Sequence, residues 1–258
     1  MNDIDRLIQD FKELQQVEAF AIGGSRATGK SDEKSDYDVY IYIKQPIDET
    51  IRTKILEKHC SYMEISNHYW ELEDNCTLKS GIDIDIIYRE LEQFKEEIKS
   101  VVDDHISHNG YTTCMWHNLV TAQIIFDKTG ELTALKNSYQ RSYPQELKKN
   151  IIRQNMNLLS GVLPSYDLQI KKAIERKDFV SINHRVTEFL ASYFDIIFAL
   201  NEMTHPGEKR EMSIALEQCR TLPINFDKNL YRLFSYMFDG EVLNEIINDM
   251  VTELKKLV

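Results

Sequence analysis

Two pairs of aspartates, each split by one residue, are the first feature of this sequence that could do chemistry: Asp36 with Asp38, and Asp83 with Asp85. On a β-strand, residues two apart point to the same face, with Cα atoms roughly 7 Å apart. If the two strands are neighbours, three or four carboxylates converge on one patch, and bound cations must offset their repulsion. Hard oxygen ligands completed by water and substrate phosphates describe Mg²⁺. Two such ions about 4 Å apart would clamp the attacking and leaving oxygens of a phosphoryl or nucleotidyl displacement. Upstream stands Gly23-Gly24-Ser25. Two glycines at a strand end let the backbone approach a ligand closely, and a small hydroxyl residue opening the next helix offers N–H groups and Oγ to an anion such as a triphosphate. The P-loop spacing and the Rossmann fingerprint are both absent.

These residues need strands to carry them. Val17 to Ile22 reads as a strand ending at the glycines, and residues 37 to 43 (Tyr-Asp-Val-Tyr-Ile-Tyr-Ile) as a second, dense in β-branched and aromatic types. Gly81 to Tyr88 alternates polar and apolar residues and predicts a third, and Ala122 to Phe126 a short fourth. Helical spacing marks the first sixteen or so residues, Ile47 to His59 and Leu91 to Val101. Beyond Pro144 the pattern is helical throughout, over about 145–162, 165–177, 179–202, 211–220, 225–238 and 240–257. The predicted class is α+β: an α/β domain with a mixed sheet and flanking helices over 1–143, then a helical bundle over 144–258.

Composition narrows the functions. At 258 residues and 42% hydrophobic content the chain can bury a core without staples. No apolar run approaches the length of a bilayer span and the first residues are too acidic for a signal peptide, which predicts a cytoplasmic protein with no membrane partner. The 42 acidic residues against 31 basic ones give a net charge of −11, which disfavours nucleic acid as a partner and suits a cationic one. Cys60, Cys76, Cys114 and Cys219 lie too far apart for metal knuckles and read as reduced thiols. The lone histidines, His184 among them, read as core or surface residues, and aromatics at helical spacing such as Tyr193, Phe194, Phe198, Tyr231, Phe234 and Tyr236 as core by default, with one or two of them free to line an acceptor pocket.

The order hydrophobic-Gly-Gly-Ser, about ten residues, Asp36-Tyr-Asp38-Val, then a later acidic strand resembles the DNA-polymerase-β-like nucleotidyltransferase superfamily. More narrowly, Gly24-Ser25-Arg26-Ala27 followed by Ser35-Asp36-Tyr37-Asp38, a helical second half and the His205-to-Arg210 run looks like the bacterial aminoglycoside and lincosamide nucleotidyltransferases. The resemblance implies a Mg²⁺-dependent enzyme with two ions that moves a nucleoside monophosphate, AMP from ATP or another NTP, onto a hydroxyl of a small molecule. It implies Asp36 and Asp38 as metal ligands, with Asp85 or Asp83 as the third. Asp85 is favoured because Ile84 and Ile86 flank it and the strand continues beyond it. Asp83 could ligate the metal or accept the acceptor's proton, and Glu90 is a weaker base candidate. Gly24, Ser25, Arg26, Ser35 and Lys209 are the implied nucleotide contacts, with Arg210 an alternative to Lys209 and Lys30 as readily a solvated charge. Transfer to protein or RNA, or a regulatory module that binds nucleotide without turnover, are the alternatives. The acceptor and the oligomeric state are not legible.

Overall fold

A computed structural model describes residues 3–27, 29, 35–69 and 71–258. The chain runs α1 (Asp3–Lys12), β1 (Val17–Ile22), α2 (Gly24–Ala27), β2 (Tyr37–Ile43), α3 (Glu49–His59), β3 (Cys60–Asn67), β4 (Leu72–Leu78), β5 (Asp83–Glu90), α4 (Leu91–Val102), α5 (Cys114–Thr121), β6 (Gln123–Asp127) and α6 (Glu131–Tyr139). Six helices follow: α7 (Gln145–Leu159), α8 (Tyr166–Glu175), α9 (Phe179–Leu200), α10 (Glu211–Gln218), α11 (Phe226–Tyr236) and α12 (Gly240–Lys255). The α+β class holds. None of the described helices is long and apolar enough to cross a membrane.

The chain divides into two compact units: Met1–Lys99 with Asn118–Arg141, and Ser100–His117 with Ser142–Val258. The first is built on one sheet of order β3-β4-β5-β2-β1-β6, in which β2 and β5 are parallel and every other pair antiparallel. Ile4, Leu7, Ile8 and Phe11, the apolar stripe of α1, pack with Ile55 and Leu56 of α3 on one sheet face. That face presents Phe20, Val39, Ile41, Ile84, Ile86 and Tyr88. Alternation sends Asp38, Tyr40, Tyr42, Asp85 and Arg89 to the other face. Tyr40 and Tyr42 are buried there too, so β2 is covered on both sides and reads as a nearly continuous run.

The expected strands and helices stand within a few residues of their bounds, but β3, β4, α5 and α6 were not expected. β3 is an edge strand in which Cys60 alone is buried. In β4 the inward position Asp74 is fully buried. Arg52 of α3 ion-pairs with it, and Ser66 N–H and Tyr88 O–H donate to it at 2.8 and 2.9 Å. A charge in a core position defeats a pattern read from hydropathy alone.

The second unit centres on α9, which is buried almost all round from Ala191 to Ala199, as the central helix of a bundle must be. Tyr193 stacks between Phe189 and Phe226 at 6.0 and 6.2 Å. The segment before α5 is tied to this bundle. Asn155 of α7 accepts the Gly110 N–H and donates to His108 O, each at 3.1 Å, while Asp195 of α9 accepts Thr112 N–H at 3.1 Å and Thr112 Oγ1–H at 2.7 Å. Gly110 sits at φ 86° against Ala191, where a Cβ would lie 2.9 Å from the alanine's own.

Candidate active site

The parallel β2–β5 ladder sets Asp38 directly opposite Asp85, and the β5–β4 ladder sets Asp85 opposite Asn75. Side chains opposed across a ladder share a face, so two of the expected carboxylates lie side by side, away from the α1 and α3 core. Asp83 is opposite Thr77, whose hydroxyl donates to Asp83 Oδ1 at 2.7 Å; Asn75 Nδ2 donates to Asp85 Oδ1 at the same distance. Asp36 is exposed and immediately precedes β2. Glu90 has the parity of Ile84 and Ile86 and so points to the opposite face from Asp85.

The glycines earn their places here. Gly23 N–H donates to Asp38 O at 2.8 Å, and a Cβ on Gly23 would run into the Tyr40 ring. Gly24 has φ 60°, and a Cβ there would overlap Oδ2 of Asp38. The turn is therefore pressed against the carboxylate, which only glycine allows. The helix that follows is a single turn. Arg26 within it stacks on Tyr37, 3.8 Å from guanidinium to ring centre, and donates to the carbonyls of Ser35 and Asp36. Its observed work is to hold the segment that carries Asp36. The Ser25 side chain, Thr28 and Lys30 lie outside the described residues.

Sequence reasoning missed the β4 contribution. Glu73 is buried on the same face as Asn75 and Asp85, and desolvation, then the nearby charges of Asp85 and Glu71, push its carboxyl above the usual range. Glu71 receives Arg89 at 2.7 to 3.2 Å, and the guanidinium also reaches Asn118 Oδ1 at 2.7 Å while lying 4.2 Å from the centre of the Tyr40 ring. Burial works against the Arg89 charge, but Glu71 together with Tyr42 and Tyr40 more than offsets it and the net shift is upward. Leu72, Cys76 and Leu78 alternating with Glu73, Asn75 and Thr77 was the available signal, broken only by Asp74.

A hard divalent cation needs oxygen donors in a cluster. Asp38 and Asp85 supply two carboxylates in register, which fits such an ion chemically; among the described residues no group of three or more His, Cys, Asp or Glu is assembled to hold one.

In the second unit Lys209 and Arg210 are exposed, ahead of α10. His205, just before them, is fully buried. Its Nδ1 accepts the Gly207 N–H at 3.1 Å, so the neutral ring carries its proton on Nε2, 3.3 Å from Glu211 Oε1. Burial holds His205 down to about 4 and pushes Glu211 up to about 8, with the charge of Glu208 adding to the latter. Burial thus disfavours the charged form of both groups.

Comparison with known families places this geometry. Residues 4–108 match the nucleotidyltransferase domain family, and residues 111–209 match a domain of unknown function (DUF4037). The first stretch is therefore matched as a nucleotidyltransferase domain, and it is the stretch that carries the glycine turn, Asp38 and Asp85. No curated protein matches the chain. Among solved structures, a nucleotidyltransferase-like protein from Exiguobacterium sibiricum is 13% identical with a TM-score of 0.45, over 96% of this chain and 71% of that one. An aminoglycoside 6-adenyltransferase from Bacillus subtilis is 9% identical with a TM-score of 0.31, over 99% and 92%. A CCA-adding enzyme is 13% identical with a TM-score of 0.31, over 99% and 79%. At these scores neither acceptor nor residue role carries over.

Proposed function

We propose that the protein is a Mg²⁺-dependent adenylyltransferase that moves AMP from ATP to a hydroxyl of a small molecule, with release of pyrophosphate. The observation that supports this most is Asp38 opposed to Asp85 on the sheet face away from the core, with the Gly23-Gly24 turn pressed against Asp38. Asp36, Asp38 and Asp85 would hold two magnesium ions, whose positive charge would stabilise the in-line displacement at the α-phosphate. Gly24 and Ser25 would receive the β- and γ-phosphates at the turn, with Arg26 and Ser35 shaping that wall. Asp83, exposed beside Asp85, would take the proton of the acceptor hydroxyl. A net charge of −11 favours a cationic acceptor, and aminoglycosides, with lincosamides beside them, are the first class to try. This reading keeps 1–143 as the catalytic part and 144–258 as the part that selects the acceptor. It also takes the protein to be cytoplasmic, in keeping with four free cysteines.

The test is incubation with each α-labelled NTP and Mg²⁺ against a panel of aminoglycosides, lincosamides, protein and tRNA. Label from ATP on an antibiotic is the expected result. Label on protein or tRNA would replace the acceptor class, and no transfer or pyrophosphate release with any of them would leave a nucleotide-binding module instead.

A further inference from the structure

The row Asp38, Asp85, Asn75 continues through a second amide. Asn67 Nδ2 donates to Asn75 Oδ1 at 2.6 Å, and Asn75 Nδ2 donates to Asp85 Oδ1 at 2.7 Å. Chemistry fixes the direction of this relay. A carboxylate only accepts, so Asn75 must turn its NH₂ toward Asp85; its oxygen then faces Asn67, which must donate. At the other end Glu64 Oε2, also an acceptor, lies 3.5 Å from the same Asn67 nitrogen. Asn67 thus donates both to Glu64 and to Asn75, and from Asn67 onward the two amides donate in line toward Asp85, across three strands. Oδ1 of Asp85 is occupied, and Oδ2 has no hydrogen-bond partner among the described residues.

We propose that Asn75, oriented by Asn67, is a positioning residue for Asp85: it ties one carboxylate oxygen back toward β4 and presents the other on the face shared with Asp38. The proposal rests on the reading of Asp85 as an acting group. Without the tie the carboxylate turns about its Cα–Cβ and Cβ–Cγ bonds, and it loses the fixed aim that a cation or a reacting hydroxyl requires.

The experiment compares Asn75→Ala, Asn67→Ala and Asp85→Asn with the parent chain. Its readouts are pyrophosphate release from ATP, Mn²⁺ affinity by electron paramagnetic resonance with the metal alone as probe, and the melting temperature without metal. Asn75→Ala should lower kcat and Mn²⁺ affinity each by about 10- to 100-fold, the usual effect of losing a residue that orients a ligand, with the KM for ATP within about twofold. Asn67→Ala, on an edge strand where folding is less at risk, should shift both in the same direction by a smaller factor. A lower melting temperature with kcat and Mn²⁺ affinity unchanged in both variants would overturn the inference and leave Asn75 as a tie between strands. If Asp85→Asn itself turns over like the parent, the reading of Asp85 fails. If Asp85→Asn is dead and Asn75→Ala is normal, only the relay fails.

Discussion

A buried carboxylate of the helical unit and a pair of carboxylates on the sheet face of the first unit do opposite work. In the helical unit Asp195 is buried and receives three hydrogen bonds, two from Thr112 and one from Asn155 Nδ2 at 3.0 Å. Burial pushes its carboxyl up to about 6, against the pull of those donors. Its lone pairs are committed to holding the 108–113 segment. On the sheet face of the first unit, Asp83 and Asp85 each take a single side-chain donor among the described residues, and Asp85 stays partly exposed. A saturated, enclosed carboxylate is architecture, whereas a steered and incompletely satisfied one is available for a ligand.

The largest expected effect probes that sheet face. Asp85→Asn should cost turnover more than about a hundredfold at every pH, while Asp83→Asn keeps nucleotide binding and recovers part of its rate as pH rises. A pH–rate comparison showing the reverse would exchange the two roles. In the helical unit the matching change, Asp195→Ala, should leave turnover chemistry alone and strike folding. With Thr112 and Asn155 left unpaired in a buried site, chemical denaturation should show a loss of about 2–4 kcal/mol; a loss below about 1 kcal/mol would mean the site relaxes or admits water.

Gly24→Ala falls between these cases. A residue with a Cβ at φ 60° that also meets Asp38 should cost about 1–3 kcal/mol of stability and lower turnover, because either the turn or the carboxylate must shift. Full activity at unchanged stability would detach the turn from the site. The smallest effect concerns Glu211, raised to about 8. Between the ordinary carboxylate range and that value the folded chain holds a proton the unfolded chain has released. The stability Glu211 contributes is therefore complete at low pH and lost as pH rises through about 8. Glu211→Gln mimics the protonated form, so its melting temperature relative to the parent should climb between about pH 5 and pH 9. A flat difference would contradict the assignment.

The same contrast explains what could be read in advance. The aspartates of β2 and β5 were legible because strand period fixes which residues share a face, and the nucleotidyltransferase reading rested on that spacing and on the glycines before it. Their neighbours Asn75, Thr77 and Glu73 were not, since buried Asp74 hides β4. Nor was the capture of residues 108–113 by the helical unit. It depends on Asn155 and Asp195, 45 and 83 residues away from their partners Gly110 and Thr112, and no local periodicity reports a hydrogen bond at that range. Arg26 shows what a motif leaves out. A basic residue beside a glycine turn suggests a phosphate contact, and the spacing gave no sign that its guanidinium also donates to the backbone ahead of β2.

The central claim is that the carboxylate row on the sheet face carries nucleotidyl transfer. Pyrophosphate release from ATP with Mg²⁺, measured for the parent chain and for Asp38→Asn at matched thermal stability, tests it most directly. The account predicts release by the parent, and less than about a tenth of that rate in the variant, a barrier increase above about 1.4 kcal/mol. Its melting temperature without metal should be equal or higher, since one of the two opposed negative charges has gone. Turnover by Asp38→Asn close to that of the parent would contradict it.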